Sequence, residues 1–187
     1  MNRTPVLMGL SGFKRSGKDT AAKALVSKGF QRIGFADAVY AEVHARWPAS
    51  IGIADADKDQ PQATLDGLSK RQLLIQVGMA ARETDPLHWV KIAMSAAKRS
   101  LSQGHSVVLS DLRLVNEIDA VRALGGYIVW INRPGLKAGI HVTEHDRSLM
   151  ADVIVNNDGT PEALGMRIVQ YAKAFRAIGP KWAPLAA

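Results

Sequence analysis

Gly12-Phe13-Lys14-Arg15-Ser16-Gly17-Lys18-Asp19-Thr20 decides the reading of this chain. Its glycines and lysine have the spacing of a loop that wraps a nucleotide's phosphates. The run Pro5-Val6-Leu7-Met8-Gly9-Leu10 before it reads as a short buried strand, and Thr20 to Lys28 after it as a helix. Strand, loop and helix in that order are the context such a loop requires. The glycines let the backbone turn tightly enough to aim several N–H groups inward. The helix start adds the positive end of its dipole, and Lys18 can reach the β- and γ-phosphates.

One position departs from the usual pattern. A hydroxyl residue normally follows the lysine and meets Mg²⁺, but here Asp19 comes first and Thr20 second. A carboxylate beside phosphates repels them unless a cation lies between. Asp19 is therefore expected to face the Mg²⁺, directly or through water, with Thr20 near the α- or β-phosphate.

The 187 residues suffice for one well-buried core and fall short of two ordinary domains. With 47% hydrophobic and 22% charged residues the composition is that of a globular protein, not a disordered or fibrous one. Cysteine is absent, which excludes disulfides, thiolate zinc sites and cysteine nucleophiles. The first apolar run, Val6 to Leu10, is too short for a signal peptide or a membrane span, so a cytoplasmic protein without membrane partners is expected. The net charge of +7, from 24 Lys+Arg against 17 Asp+Glu, favours polyanionic ligands. The basic residues are scattered over the chain instead of gathered in one tail among aromatics, which favours small nucleotides over stable nucleic-acid binding.

Strand and helix signals alternate, the sign of an α/β fold with a parallel sheet flanked by helices. Phe30 to Phe35 reads as a second strand. Asp37 then has the chemistry of an N-cap for a helix that Pro48 terminates. Residues 49–68 mix Gly, Asp, Pro and Lys with little periodicity and read as a mobile surface excursion. Ser69-Lys70-Arg71-Gln72 is a capping-box start to a helix whose apolar face holds Leu73, Leu74 and Val77. Asp85-Pro86 opens another, with Leu87, Val90, Met94 and Leu101 inward and Gly104 as its stop. Ser106 to Ser110 is the best buried strand and runs into Asp111-Leu112-Arg113, where parallel sheets bind ligands. A helix through Ile118, Val121 and Leu124, a strand Tyr127 to Ile131, a polar stretch 132–148 and a strand Ala151 to Val155 follow. Thr160 and Pro161 then cap and open the final helix.

Phosphoryl transfer asks for positioned positive charge and Mg²⁺ more than for covalent help. A phosphate acceptor is already anionic and needs no strong general base. Arg71, Arg82, Arg113 and Arg133 stand on different elements, and a guanidinium fork suits paired phosphate oxygens. Asp111 and Arg113 are two apart after a strand and project to one face, either as metal and phosphate ligands or as an internal ion pair. Asp37 reads as a site residue or as a helix cap alone. His141 and His145 flank Glu144, but no third ligand stands in an obvious place, so a solvated lid is preferred to a zinc site. Trp89 and Trp130 read as core.

The loop 12–20, Phe35-Ala36-Asp37, Arg71 to Gly78, Asp111-Leu112-Arg113-Leu114-Val115-Asn116-Glu117, Arg133-Pro134-Gly135, His141 to Glu144 and Asn157-Asp158-Gly159-Thr160 together resemble the deoxynucleoside monophosphate kinases of bacteriophages and prophages. The resemblance covers nearly the whole chain in order. It implies a P-loop nucleoside monophosphate kinase fold with about five parallel strands, an acceptor-binding insertion at 49–84 and a short lid at 132–148, all in one domain. It also implies transfer of the γ-phosphoryl of ATP to a deoxynucleoside monophosphate, giving the diphosphate and ADP. By position, Gly12, Lys14, Arg15, Ser16, Gly17, Lys18, Asp19 and Thr20 would bind ATP phosphates, and Asp158, Gly159 and Thr160 would lie near adenine. Asp37, Arg71, Arg82, Asp111, Arg113 and Glu117 would form the acceptor and metal side, with Asp19 and Asp111 toward Mg²⁺. Lys18, Arg113, Arg133 and Asp37 are the candidate catalytic set, Arg133 acting from the lid. A bacterial, phage or prophage origin is implied, and a homodimer is left open. The alternatives are a related small-molecule kinase acting on phosphomevalonate or dephospho-coenzyme A, and a regulatory or nucleic-acid-linked P-loop NTPase. Against a GTPase, the chain has no Asn-Lys-x-Asp motif.

Overall fold

The computed structural model describes residues 4–137 and 145–181. Five strands form one parallel sheet: β1 (Leu7–Ser11), β2 (Gln31–Ile33), β3 (Val107–Leu109), β4 (Tyr127–Asn132) and β5 (Val153–Asn156), in the order β2-β3-β1-β4-β5. Six helices accompany it: α1 (Lys18–Val26), α2 (Asp37–Arg46), α3 (Lys70–Thr84), α4 (His88–Ser102), α5 (Val115–Ala123) and α6 (Pro161–Ile178). The inner strands are short apolar runs because a parallel sheet is covered on both faces, while β2 at the edge, Gln31–Ile33, is polar and largely exposed. Every residue of β1 and β3 is buried.

The described chain divides into two compact units, one of residues 1–34 and 94–187 and the other of residues 35–93. In the first, Met8, Leu10, Val108, Val129 and Ile131 pack against Ala21, Ala22 and Leu25 of α1 and Leu164, Ile168 and Phe175 of α6. Gly126 lets α5 close on β1 beneath it, since a Cβ there would lie 2.6 Å from Val121 and 2.9 Å from Leu7. With β1 central, the phosphate-loop segment leaves from the middle of the sheet. Leu112 N donates to Leu10 O at 3.1 Å and Ser11 Oγ to Leu112 O at 3.1 Å, which fixes the segment after β3 beside the end of β1.

In the unit 35–93, Val39, Val43, Leu65, Leu73, Val77 and Trp89 form a core, and Trp89 Nε1 donates to Gly78 O at 3.0 Å. Helix α3 starts as its sequence predicts: Ser69 Oγ accepts from Gln72 N at 3.2 Å, and Gln72 Oε1 accepts from Ser69 N at 2.7 Å. Residues 49–68 are exposed for the most part, as read, yet they carry two 3-10 turns, Pro48–Ser50 and Ala63–Leu65, bury Ser50 and Leu65, and pack Ile53 and Leu68 against the core. Two readings need correction here. Asp37 is the first residue of α2 and not its cap, because Ala36 holds that position and no side chain caps the end. Leu87 lies before α4, in a turn that Asp85 closes by accepting from Leu87 N at 3.0 Å, and it is exposed. No described helix is long and apolar enough to cross a membrane.

Candidate active site

The loop after β1 has the backbone its glycines predict. Gly12 stands at φ 136°, and a Cβ there would lie 2.5 Å from Ile131 O. Gly17 precedes α1 at φ 107°, and its Cβ would fall 2.5 Å from Asn157 Nδ2. Arg15 adopts φ 64°, a left-handed conformation that a non-glycine side chain resists. Helix α1 begins at Lys18, directly after the loop, and the first amides of a helix have no carbonyl to meet within it, which suits an anion.

Lys18 is buried at the start of α1 and donates through Nζ to Gly12 O at 2.7 Å and Phe13 O at 2.8 Å. These contacts fold the ammonium back along the inner side of the loop, where an incoming phosphate would compete for it. Ser16 is buried and its Oγ has no hydrogen-bond partner among the described residues. A buried hydroxyl without a partner costs stability, and a bound phosphate oxygen would satisfy it. Phe13 meets Trp130 edge-on at 5.2 Å, which seats the loop on β4.

Other elements converge on this loop. Arg133, directly after β4, donates through Nη1 to Arg15 O at 3.4 Å. Asn157, directly after β5, donates through Nδ2 to Ser16 O at 2.8 Å. Asn157 thus braces the loop, a role the sequence signal at 156–161 conceals because Asn-Asn-Asp-Gly also reads as ordinary turn chemistry. Gly159 and Thr160 lie in the same turn, and Thr160 Oγ1 accepts from Ala163 N at 3.2 Å as the cap of α6. Asp158 pairs with Arg167 at 2.6 Å, and that hydrogen bond holds its carboxyl below the usual range. A groove of about 530 Å³ lies beside Asp158 along β5 and α6, and no residue of the phosphate loop lines it.

Asp111 and Arg113 follow β3 next to the end of β1. Glu117 is buried and accepts from Arg113 N at 2.6 Å and Leu114 N at 2.9 Å. Its carboxylate therefore fixes the backbone of the Asp111–Arg113 segment and caps α5. Lys14, Asp19 and Thr20 complete the loop and its helix, with Asp19 exposed on the first turn.

Asp37, Arg71 and Arg82 belong to the unit 35–93. Arg71 is held by Asp59 in an ion pair whose hydrogen bond pushes the guanidinium pKa up, with Nη2 donating to Oδ2 at 3.3 Å. Asp59 was not legible as a partner, because it comes from the aperiodic stretch 49–68. Arg82 Nη1 donates to Gly78 O at 3.1 Å. Trp89 and Trp130 are core, as expected. Among the described residues no three His, Cys, Asp or Glu side chains gather as a metal-binding group. His141 and Glu144, with the rest of residues 138–144 of the lid segment, lie outside the described residues.

Comparison with known proteins gives this arrangement a family. A family model described as deoxynucleotide monophosphate kinase matches residues 64–168. A protein of Acanthamoeba polyphaga mimivirus, provisionally named a deoxynucleotide monophosphate kinase, is 30% identical over 88% of this chain and 94% of its own length. The chain belongs to the deoxynucleotide monophosphate kinase family. The deoxynucleotide monophosphate kinase of Enterobacteria phage T4 is 30% identical over 59% of this chain and 48% of its own length. Among solved structures, a dephospho-CoA kinase from Campylobacter jejuni matches with a TM-score of 0.54 at 10% identity, covering 91% of this chain and 97% of the other. A sugar kinase from Janibacter matches with 0.52 at 15% identity, covering 94% and 98%. At those identities the likeness shows the fold, that of the P-loop kinases. As a member of its family the chain is a phosphotransferase, with ATP implied as its co-substrate.

Proposed function

We propose that this kinase transfers the γ-phosphoryl of ATP to a deoxynucleoside monophosphate, yielding the diphosphate and ADP. The observation that carries this is the phosphate loop itself. Lys18, the partnerless Ser16 hydroxyl and the start of α1 belong to one short loop, beside Arg133 and the Asp111–Arg113 segment.

In this reading Lys18 leaves the Gly12 and Phe13 carbonyls for the β- and γ-phosphates, and Lys14, Arg15 and Thr20 complete the grip. Asp158, Gly159 and Thr160 lie near adenine. Arg113 and Arg133 neutralise charge on the transferring group, and Asp37, Arg71 and Arg82 serve the acceptor nucleotide. Glu117 acts through Arg113, holding its backbone while the guanidinium meets phosphate. Asp19 and Asp111 suit Mg²⁺, which takes one or two carboxylates and completes its octahedron with phosphate oxygens and water. Bound there, Mg²⁺ would supply charge neutralisation of the nucleotide.

A coupled ADP-release assay over the deoxynucleoside monophosphates, with phosphomevalonate and dephospho-coenzyme A as controls, tests the proposal. Turnover is expected with one or more deoxynucleotides. Lys18→Ala is expected to abolish it while the chain still folds, as a cooperative thermal melt would show. Turnover confined to the controls, or a Lys18→Ala protein of normal rate, refutes it.

A further inference from the structure

Arg167, on the second turn of α6, has none of the roles assigned above, yet it holds the turn that braces the phosphate loop. Its Nη1 donates to Asn156 O at 2.6 Å and to Asp158 Oδ1 at 2.6 Å. The residue between those two acceptors is Asn157, whose Nδ2 donates to Ser16 O at 2.8 Å. Helical side chains lean toward the N-terminus of their helix, so a long one on the second turn of α6 reaches back past Pro161 to the turn before it. On the other side, Asn157 N donates to Asn132 O at 2.7 Å and Asn132 Nδ2 to Asn156 Oδ1 at 2.9 Å. The turn 156–158 is thereby held between β4 and α6.

Helix α6 is a firm support for this hold. Leu164 and Ile168 are buried in the core that α6 shares with α1. Leu164 also lies 3.0 Å from the point a Cβ on Gly17 would occupy, so the helix that carries Arg167 borders the loop. With Arg167 44% and Asp158 49% exposed, their ion pair by itself adds little to global stability. The second bond acts on position, because it goes to the main chain beside Asn157. A trans peptide points its C=O and N–H in opposite directions. Asn157, by engaging Ser16 O, turns the Gly17 N–H away from the 156–158 turn. If that turn shifts, the Ser16–Gly17 peptide loses what orients it.

We propose that Arg167 is a positioning residue for the ATP site. It holds the 156–158 turn so that Asn157 orients the Ser16–Gly17 peptide, whose amide donates to a phosphate oxygen. Arg167 itself touches no phosphate and acts through Asn157. The inference rests on the reading of the loop as the ATP site.

The test uses the full chain and a fluorescent ATP analogue with Mg²⁺ and no acceptor, in the natural protein, Arg167→Met, Asn157→Ala and the double variant. Methionine keeps an unbranched apolar stem and removes every donor. Arg167→Met is expected to weaken binding about fivefold, within the span for residues that act on a site without touching its ligand. Its melting temperature should stay close to that of the natural chain. In the Asn157→Ala background the same substitution should weaken binding by less than about twofold, because its effect passes through Asn157. A merely structural role predicts no such dependence. Both bonds leave one nitrogen, so the single ammonium of Arg167→Lys can serve both acceptors and should preserve most of the affinity. Unchanged binding by Arg167→Met overturns the inference, as does an equal loss in both backgrounds. Should methionine lower the melting temperature as well, Arg167→Lys decides, and a loss as large as methionine's overturns it. Lys18→Ala is the control that separates the two readings. If it binds the analogue normally, the ATP site itself is wrong. If it does not, and Arg167→Met is indifferent, only the role of Arg167 fails.

Discussion

The brace between Asn157 and the phosphate loop makes a quantitative prediction about two residues far apart in sequence. Asn157 Nδ2 donates to Ser16 O at 2.8 Å, and a Cβ on Gly17 would lie 2.5 Å from that same nitrogen. Asn157→Ala removes one part-buried hydrogen bond, worth about 1 kcal/mol. Gly17→Ala places a side chain at φ 107°, a cost of about 1–2 kcal/mol. It also pushes Asn157 off Ser16 O, losing the same bond for about 1 kcal/mol more. The single variants therefore sum to about 3–4 kcal/mol, but the bond can be lost only once, so the double variant should lose about 2–3 kcal/mol. The coupling of about 1 kcal/mol corresponds to about 2–4 °C in melting temperature for a chain of this size. Denaturant melts of the four proteins measure it, and titration with ATP reports whether the loop loses affinity alongside. Additive losses would show that Asn157 and Gly17 do not meet, and the brace would be wrong.

Three further outcomes are expected. Glu117→Ala removes the single carboxylate oxygen that accepts from two backbone N–H groups, so stability should drop by about 1–3 kcal/mol. kcat should fall with it through the displaced Arg113, and an unaltered kcat would disconnect Glu117 from the site. Leu65→Ala should destabilise the unit 35–93 by about 2–5 kcal/mol, because Leu65 is a fully buried anchor of the stretch 49–68; hydrogen exchange of α2 and α3 reads the loss, and unchanged protection would mean the stretch is not anchored. Burial, and then the neighbouring Lys70, lower the pKa of His44, so the folded chain resists a proton that the unfolded chain accepts. Stability should therefore be lost as pH falls through about 6.5, and His44→Gln should flatten the melting temperature between pH 7.5 and 5.5, a range set by the free imidazole. A variant as pH-sensitive as the natural chain contradicts this.

Local chemistry made the nucleotide side of the protein readable before folding was considered. A phosphate loop is one contiguous segment whose glycine conformations, lysine and helix start depend on neighbours within ten residues or so, and the alternation of short apolar runs with periodic segments implies a parallel sheet. The Ser69–Gln72 box and the Thr160 cap were legible for the same reason, being hydrogen bonds within one turn. Contacts that join segments far apart in the chain were not legible. Asn157 reaching Ser16 depends on strand order, and Asp59 holding Arg71 on how an aperiodic stretch folds back onto a helix. Composition concealed the anchor at 49–68, where Leu65 is buried within a largely exposed polar stretch because burial is decided by what a side chain meets and not by its neighbours along the chain.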